Sequence, residues 1–262
     1  MKRTPALLLT ACAICLTTTM ADGIPLAQRS AYEYSAADAN HAAAQDLERV
    51  IAPLRRAGAL NRPTADFMRS ERIFRRLSAL ADQRYGSGHA VDWRLFVAHE
   101  RVREAYSRGG GAVFLSSGFL EHYRPSNAEL ELVIGHEIAH VLCEHERMKL
   151  SAVWYRNAPY RLAARHAIEY LDTEPAVGLQ VAPMVRVQER IADRLSLALA
   201  MASGTDPGQA VAFFDKSAAD EGGLINDAHD HAQLRKAALL RSVAGGRLTG
   251  RFFHTRETDC AP

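Results

Sequence analysis

An excess of charge of one sign is missing from this chain: 32 Lys and Arg face 30 Asp and Glu, a formal balance of +2. The arginines are spread along helical stretches and form no basic run, so nothing points to nucleic acid as a partner. Long apolar runs are also absent. The stretch from Ala6 to Leu16 is too short to span a bilayer, and no later stretch is apolar enough to cross one. No internal repeat is visible, which sets aside a solenoid. Cysteine is scarce, with four residues, two of them at Cys12 and Cys15 near the start. What the 262 residues do have is 48% hydrophobic side chains, enough for one good-sized core or two small subdomains.

The N-terminus reads as an export segment. Lys2-Arg3 precedes the apolar stretch, and Thr19-Met20-Ala21 closes it with residues that suit signal peptidase, giving a mature chain from Asp22. A second processing also fits. Leu9-Thr10-Ala11-Cys12 satisfies a bacterial lipobox, and cleavage before Cys12 would leave a lipid anchor on that cysteine. Either route takes the protein out of the cytoplasm, to the periplasm or beyond. Removing the segment leaves Cys143 and Cys260, which in an oxidising compartment either pair or leave Cys143 as a buried thiol on a core helix.

The chemistry starts at His136-Glu137-Ile138-Ala139-His140. Two imidazoles four residues apart lie about 40° from each other round a helix, so both reach one metal ion. The H-E-x-x-H pattern is the signature of zinc metallopeptidases, in which the glutamate takes a proton from the attacking water. Pro125-Ser126-Asn127-Ala128-Glu129 predicts the helix start, with Ser126 as N-cap and Glu129 closing a capping box. Leu130, Val133, Ile134, Ile138, Val141 and Leu142 follow at helical spacing and predict a helix to Met148. Gly135 and Ala139 leave room for close packing beside the metal. On so long a helix His145 would stand about 180° from His136 and point away from the metal, as a structural residue.

Zinc needs a third protein ligand. The metzincin pattern would place Gly at 143 and His at 146, but those positions hold Cys143 and Glu146. The better candidate is Glu189-Arg190-Ile191-Ala192-Asp193, on a helix patterned by Val187, Ile191, Leu195 and Leu199 and ending near Gly204. Glu189 and Asp193 share a face. Glu189 is the expected ligand, and Asp193 is expected to accept the second ring N–H of His136.

At this point the sequence resembles the HtpX-like and CAAX-prenyl-endopeptidase-type gluzincin zinc metallopeptidases. The resemblance rests on His136 to His140, on Glu189-x-x-Ala-Asp193 and on Gly204-Thr205-Asp206-Pro207. Upstream, Glu104 to Phe114 is similar to the family's N-A-F-A-x-P-G-G segment and the strand after it, with Glu104 and Gly109 in place of Asn and Pro. Downstream, His229-Asp-His-Ala-Gln-Leu-Arg235 resembles an H-P-x-x-x-x-R element, with Asp230 for the proline. The resemblance implies one zinc per chain and an extended polypeptide substrate. It implies that Gly110, Gly111 and Ala112 open a strand that is either the cleft edge pairing with substrate or an ordinary sheet strand. It also implies that His229 stabilises the oxyanion or visits the metal in a resting state, and that Arg235 anchors the site or a substrate carbonyl. His231, two residues on, is expected to be an ordinary surface residue.

The expected fold is α+β and mainly helical, a zincin-like domain with a small sheet beside the zinc helix. Helical patterns cover Asp38–Leu54 and Thr64–Arg84. Short strands fall within Val91–Leu115, and a connection with one helical piece near Arg161–Tyr170 fills Ser151–Pro183. Pro207 opens a further helix, and 229–243 forms the last. The expected organisation is a signal segment over 1–21 (or 1–11 for a lipoprotein), an N-terminal helical region over 22–90, the metallopeptidase domain over 91–250 and a tail over 251–262. The competing function is a chaperone-like or assembly protein that keeps the metal site but rarely turns over. The intact Glu137 argues against it.

Overall fold

The computed structural model describes residues 33–85, 91–157, 162–220, 231–246, 248 and 259–260. The export segment with Cys12, the expected oxyanion residue His229 and most of the 251–262 tail lie outside them.

Two long helices open the described chain. In α1 (Ala36–Arg56) the Ser35 hydroxyl caps the first turn by accepting from the Asp38 N–H at 3.0 Å. Ala39, Ala42, Ala43, Leu47 and Ile51 are its buried stripe. In α2 (Ala65–Tyr85) the stripe is Ile73, Phe74, Leu77 and Ala81. Thr64, expected inside this helix, stands just outside as its cap, accepting from the Phe67 N–H at 3.2 Å.

Three strands follow: β1 (Arg94–Ala98), β2 (Ala105–Arg108) and β3 (Ala112–Ser116), arranged β1-β3-β2. β1 runs parallel to β3, and β2 runs antiparallel to it. All of β3 is buried, because both faces are covered. Val113 and Leu115 join the main core with α2, and Ala112 and Phe114 join a second cluster with Leu47 and Ile51 of α1. The strand opened at Ala112 was expected either as the cleft edge or as an ordinary sheet strand, and it is the second. Ala112 does not start an edge strand: β3 is the central strand, paired on both sides, and Ala112 is 2% exposed. The edge belongs to β2.

After the short α3 (Ser117–Tyr123) comes α4 (Asn127–Leu142), which carries the H-E-x-x-H residues. Its N-terminus is the expected capping box, with both reciprocal bonds between Ser126 and Glu129 present. Its end differs from expectation. The helix stops at Leu142, Glu144 takes a left-handed conformation at φ 52°, and the chain restarts as α5 (His145–Asn157). The periodicity runs on to Met148, but the axis has turned. Next comes α6 (Ala164–Thr173), then α7 (Pro175–Ala202), which starts well before the expected Val187 and contains Pro183 within its length. The Pro207 helix is α8 (Pro207–Val211), capped by Asp206; α9 (Phe213–Asp220) and α10 (Ala232–Ala244) are the last helices among the described residues. The fold is thus α+β and mainly helical with one small sheet.

α4 and α7 form the most extensive helix pair. Gly135 makes this possible, since a Cβ there would stand 3.3 Å from the Ser196 Cα of α7. Behind the pair, the Sγ atoms of Cys143 and Cys260 are 2.06 Å apart, and the Tyr85 hydroxyl donates to Asp259 at 2.9 Å. Among the described residues, no helix is long and apolar enough to cross a membrane.

Candidate metal centre

Four residues separate His136 from His140 on α4, and the rings project to one point. Their Nε2 atoms are 2.9 Å apart. Glu189 comes across from α7, with its carboxylate oxygens 3.1 Å from His136 Nε2 and 3.3 Å from His140 Nε2. Among the described residues these three form the group whose donor atoms lie within 4.8 Å of one another. A tetrahedral ion with bonds of about 2.0–2.2 Å holds its ligand atoms roughly 3.3–3.6 Å apart, close to what is seen here. Two imidazole nitrogens and a carboxylate oxygen are donors suited to zinc and its neighbours, so the residues fit a divalent metal ion.

The surrounding charges agree. Glu137, Glu189 and Asp193 are all buried. Arg235 meets Asp193 with two bonds of 2.7 and 2.6 Å and lies 3.6 Å from Glu189. Three buried carboxylates with one guanidinium leave negative charge for a cation to compensate. The imidazoles respond to it. Burial would push the His136 pKa down, but the facing Glu189 and Asp193 carboxylates outweigh that and raise it to about 10. Burial would raise Glu189, yet His140 and His136 hold it well below the ordinary carboxylate range. Asp193 is likewise low, since the Arg235 pair overcomes its burial.

Asp193 Oδ1 stands 3.1 Å from His136 Nδ1, the outer nitrogen of that ring. Arg235 does not line the cleft, as a residue bound to a substrate carbonyl would. It grips Asp193 and stacks over the Phe214 ring at 5.0 Å. Its place is behind the ligands, where it anchors the site. His231 opens α10, and its carbonyl accepts from the Leu234 and Arg235 N–H groups.

Glu137 lies on the wall of an open cleft of about 450 Å³, which His136, His140, Glu189, Ser107 and Gly110 also line. The Ser107 hydroxyl donates to Glu137 Oε2 at 2.9 Å. Ser107 lies on β2, and the strand itself is chemically useful. The Ser116 N–H donates to Glu104 O, which fixes the alternation: Tyr106 and Arg108 bond to β3, while Ala105 and Ser107 turn their N–H and C=O groups outward. Gly110 and Gly111 make the turn into β3 at φ 81° and 105°. At Gly111 a Cβ would meet Asp92 O at 2.5 Å, so only glycine fits. These glycines position the cleft edge, and only Gly110 of the two lines it.

Two residues near the metal point escaped the sequence reading. Ser107 sits within the quoted motif, and only the strand alternation that turns it toward α4 could have marked it. His145 was expected to point away. The break at Glu144 brings its ring back against His140, Nδ1 to Nδ1 at 2.9 Å, and no local residue announces that break.

With this geometry established, comparison with known proteins decides the lineage. The pattern of peptidase family M48 matches residues 68–255, which starts within α2 and takes in every residue of the site. The chain belongs to peptidase family M48. It is also similar to the mitochondrial metalloendopeptidase OMA1 of Arabidopsis thaliana, 27% identical over 138 residues. That alignment covers 52% of this chain and 28% of the plant protein, so the chain spans about a quarter of that relative's length. M48 proteins are metal-dependent peptidases, and membership implies a polypeptide substrate. In this M48 chain His136, His140 and Glu189 are the group that could bind the metal.

Proposed function

We propose that the chain is a zinc-dependent endopeptidase of gluzincin type. It cleaves extended or unfolded polypeptide outside the cytoplasm, in the periplasm or a secreted setting, as protein quality control in the envelope requires. The observation that carries this reading is the convergence of His136, His140 and Glu189 beside Glu137, on a cleft bordered by a strand edge. A substrate in extended form pairs with the outward main-chain groups of Ala105 and Ser107, which gives affinity with little demand on side chains.

Zinc held by the three ligands supplies Lewis-acid polarisation of the scissile carbonyl and acidifies water. Glu137 takes a proton from water as the water oxygen bonds to the carbonyl carbon. It returns that proton to the amide nitrogen as the C–N bond breaks. Ser107 engages Glu137 Oε2 and so leaves Oε1 free to carry the proton. Asp193 accepts the outer N–H of His136 and keeps Nε2 bare for the metal.

Export is supported by the basic and apolar start of the chain and by the approach of Cys143 to Cys260, a bridge that would persist in an oxidising compartment. Soluble release and a lipid anchor at Cys12 differ by acyl mass on the mature N-terminus. The activity is tested with an unfolded protein such as casein. Glu137→Gln should lose at least about a hundredfold in turnover while keeping its metal. Equal cleavage by both forms would refute the peptidase reading in favour of a binding protein.

A further inference from the structure

The two metal-facing imidazoles have different partners behind them. His136 has a carboxylate. His140 has His145, and among the described residues that ring is the partner of His140 Nδ1, at 2.9 Å. We propose that His145 is a positioning residue for the metal centre: a neutral imidazole that accepts the Nδ1–H of His140 and fixes which nitrogen His140 presents to the ion. The proposal rests on the metal-dependent reading above.

The geometry requires a definite proton arrangement. His140 Nε2 is the atom that converges with His136 and Glu189, so it must be bare to bind a metal, and its proton moves to Nδ1. Two ring nitrogens 2.9 Å apart share one proton between them. His140 therefore donates, His145 Nδ1 accepts, and His145 carries its own proton on Nε2. That Nε2 is buried and has no partner among the described residues. The ring is 1% exposed and stacks edge-on to His140 at 78°.

Its placement is also built in. The left-handed Glu144 turns the chain so that the first residue of α5 faces back onto α4. From α7 the buried Gln188 donates to the His145 carbonyl at 3.1 Å. Gln188 directly precedes Glu189, so α7 grips a metal ligand and the partner of another ligand through adjacent residues.

The test uses the full mature chain. Asparagine keeps an acceptor where His145 Nδ1 now stands, and leucine keeps bulk without one. Zinc affinity by competition with a chromophoric chelator should fall tenfold to about a hundredfold in His145→Leu and stay close to wild type in His145→Asn. The absorption spectrum of the cobalt-substituted protein should change in the leucine variant only, a readout that loss of packing alone would not give. A folded leucine variant that binds zinc like wild type overturns the proposal, as does an asparagine variant as weak as leucine. Should the leucine variant not fold, nitrogen-15 spectra of wild type with zinc decide: His145 should carry its proton on Nε2, and a proton on Nδ1 refutes it. Wild type that binds no zinc at all overturns the metal reading itself, a result distinct from either of these.

Discussion

Asp193→Asn tests the electrostatic design of the metal centre most directly. The Asp193 carboxylate meets two partners at once, His136 Nδ1 at 3.1 Å and the Arg235 fork at 2.7 and 2.6 Å. An amide offers one acceptor where two are needed. Its NH₂ must then face either the outer N–H of His136 or the guanidinium, donor against donor. The charge change is costly as well, because Arg235, half-buried over Phe214, loses the carboxylate that its guanidinium grips with two bonds. Breaking a buried pair from one side costs about 3–5 kcal/mol. For a chain of this size each kcal/mol moves Tm by about 2–4 °C, so melting of the metal-free protein should fall by roughly 6–20 °C. Zinc affinity should fall tenfold to about a hundredfold as His136 loses the group that orients it. Calorimetry and chelator competition on the same preparations measure both. The double variant with Arg235→Met should lose less than the sum of the two single variants, since both single changes remove the same pair of bonds. A metal affinity unchanged from wild type, in a folded Asp193→Asn protein, would refute the argument.

Other consequences are open to simpler assays. In the metal-free protein the depressed pKa values of Glu189 and Asp193 give stability that is present above their ordinary range near pH 4 and lost as pH falls through the folded values. The raised His136 gives stability that is full below pH 6.5 and lost as pH climbs through about 10. Melting against pH should therefore decline on both sides of a plateau at about pH 4.5–6.5, and zinc should abolish the alkaline decline by replacing the proton; a flat alkaline limb without metal would contradict this. Gly111→Ala places a Cβ 2.5 Å from Asp92 O at φ 105°, and should cost at least about 2 kcal/mol in urea unfolding; an unchanged midpoint would be the contrary result. Non-reducing peptide mapping should recover Cys143 linked to Cys260, and Cys260→Ser should lower stability by about 2–5 kcal/mol; free thiols in protein prepared under oxidising conditions would rule the bridge out.

How much of this was legible in the sequence depends on how local the cause is. The start of α4 was readable because the capping box needs only Ser126 and Glu129. The pairing of His136 with His140 was readable because helical geometry alone sets it. Glu189 and Asp193 were readable once a third ligand was required. The strand order was not, since which of β2 and β3 lies outside depends on α1 covering Phe114. The early start of α7 was hidden by Pro183, which reads as a helix stop. It is tolerated because the carbonyl it leaves unbonded belongs to Leu179, a residue 59% exposed, where water can serve it. The end of α4 was hidden because glutamate gives no sign of a left-handed turn, and that turn decides where His145 points.

The contact of Gly135 with Ser196 has a kinetic meaning. Two metal ligands lie on α4 and the third on α7, so their separation is set by how closely the two backbones approach. An ion held by these three ligands would clip together the two helices of the main core, so that any opening of the pair would break the ligand set. Added zinc should therefore slow deuterium uptake by the Ile138 and Ile191 amides, while uptake at the exposed ends of α1 and α10 stays unchanged.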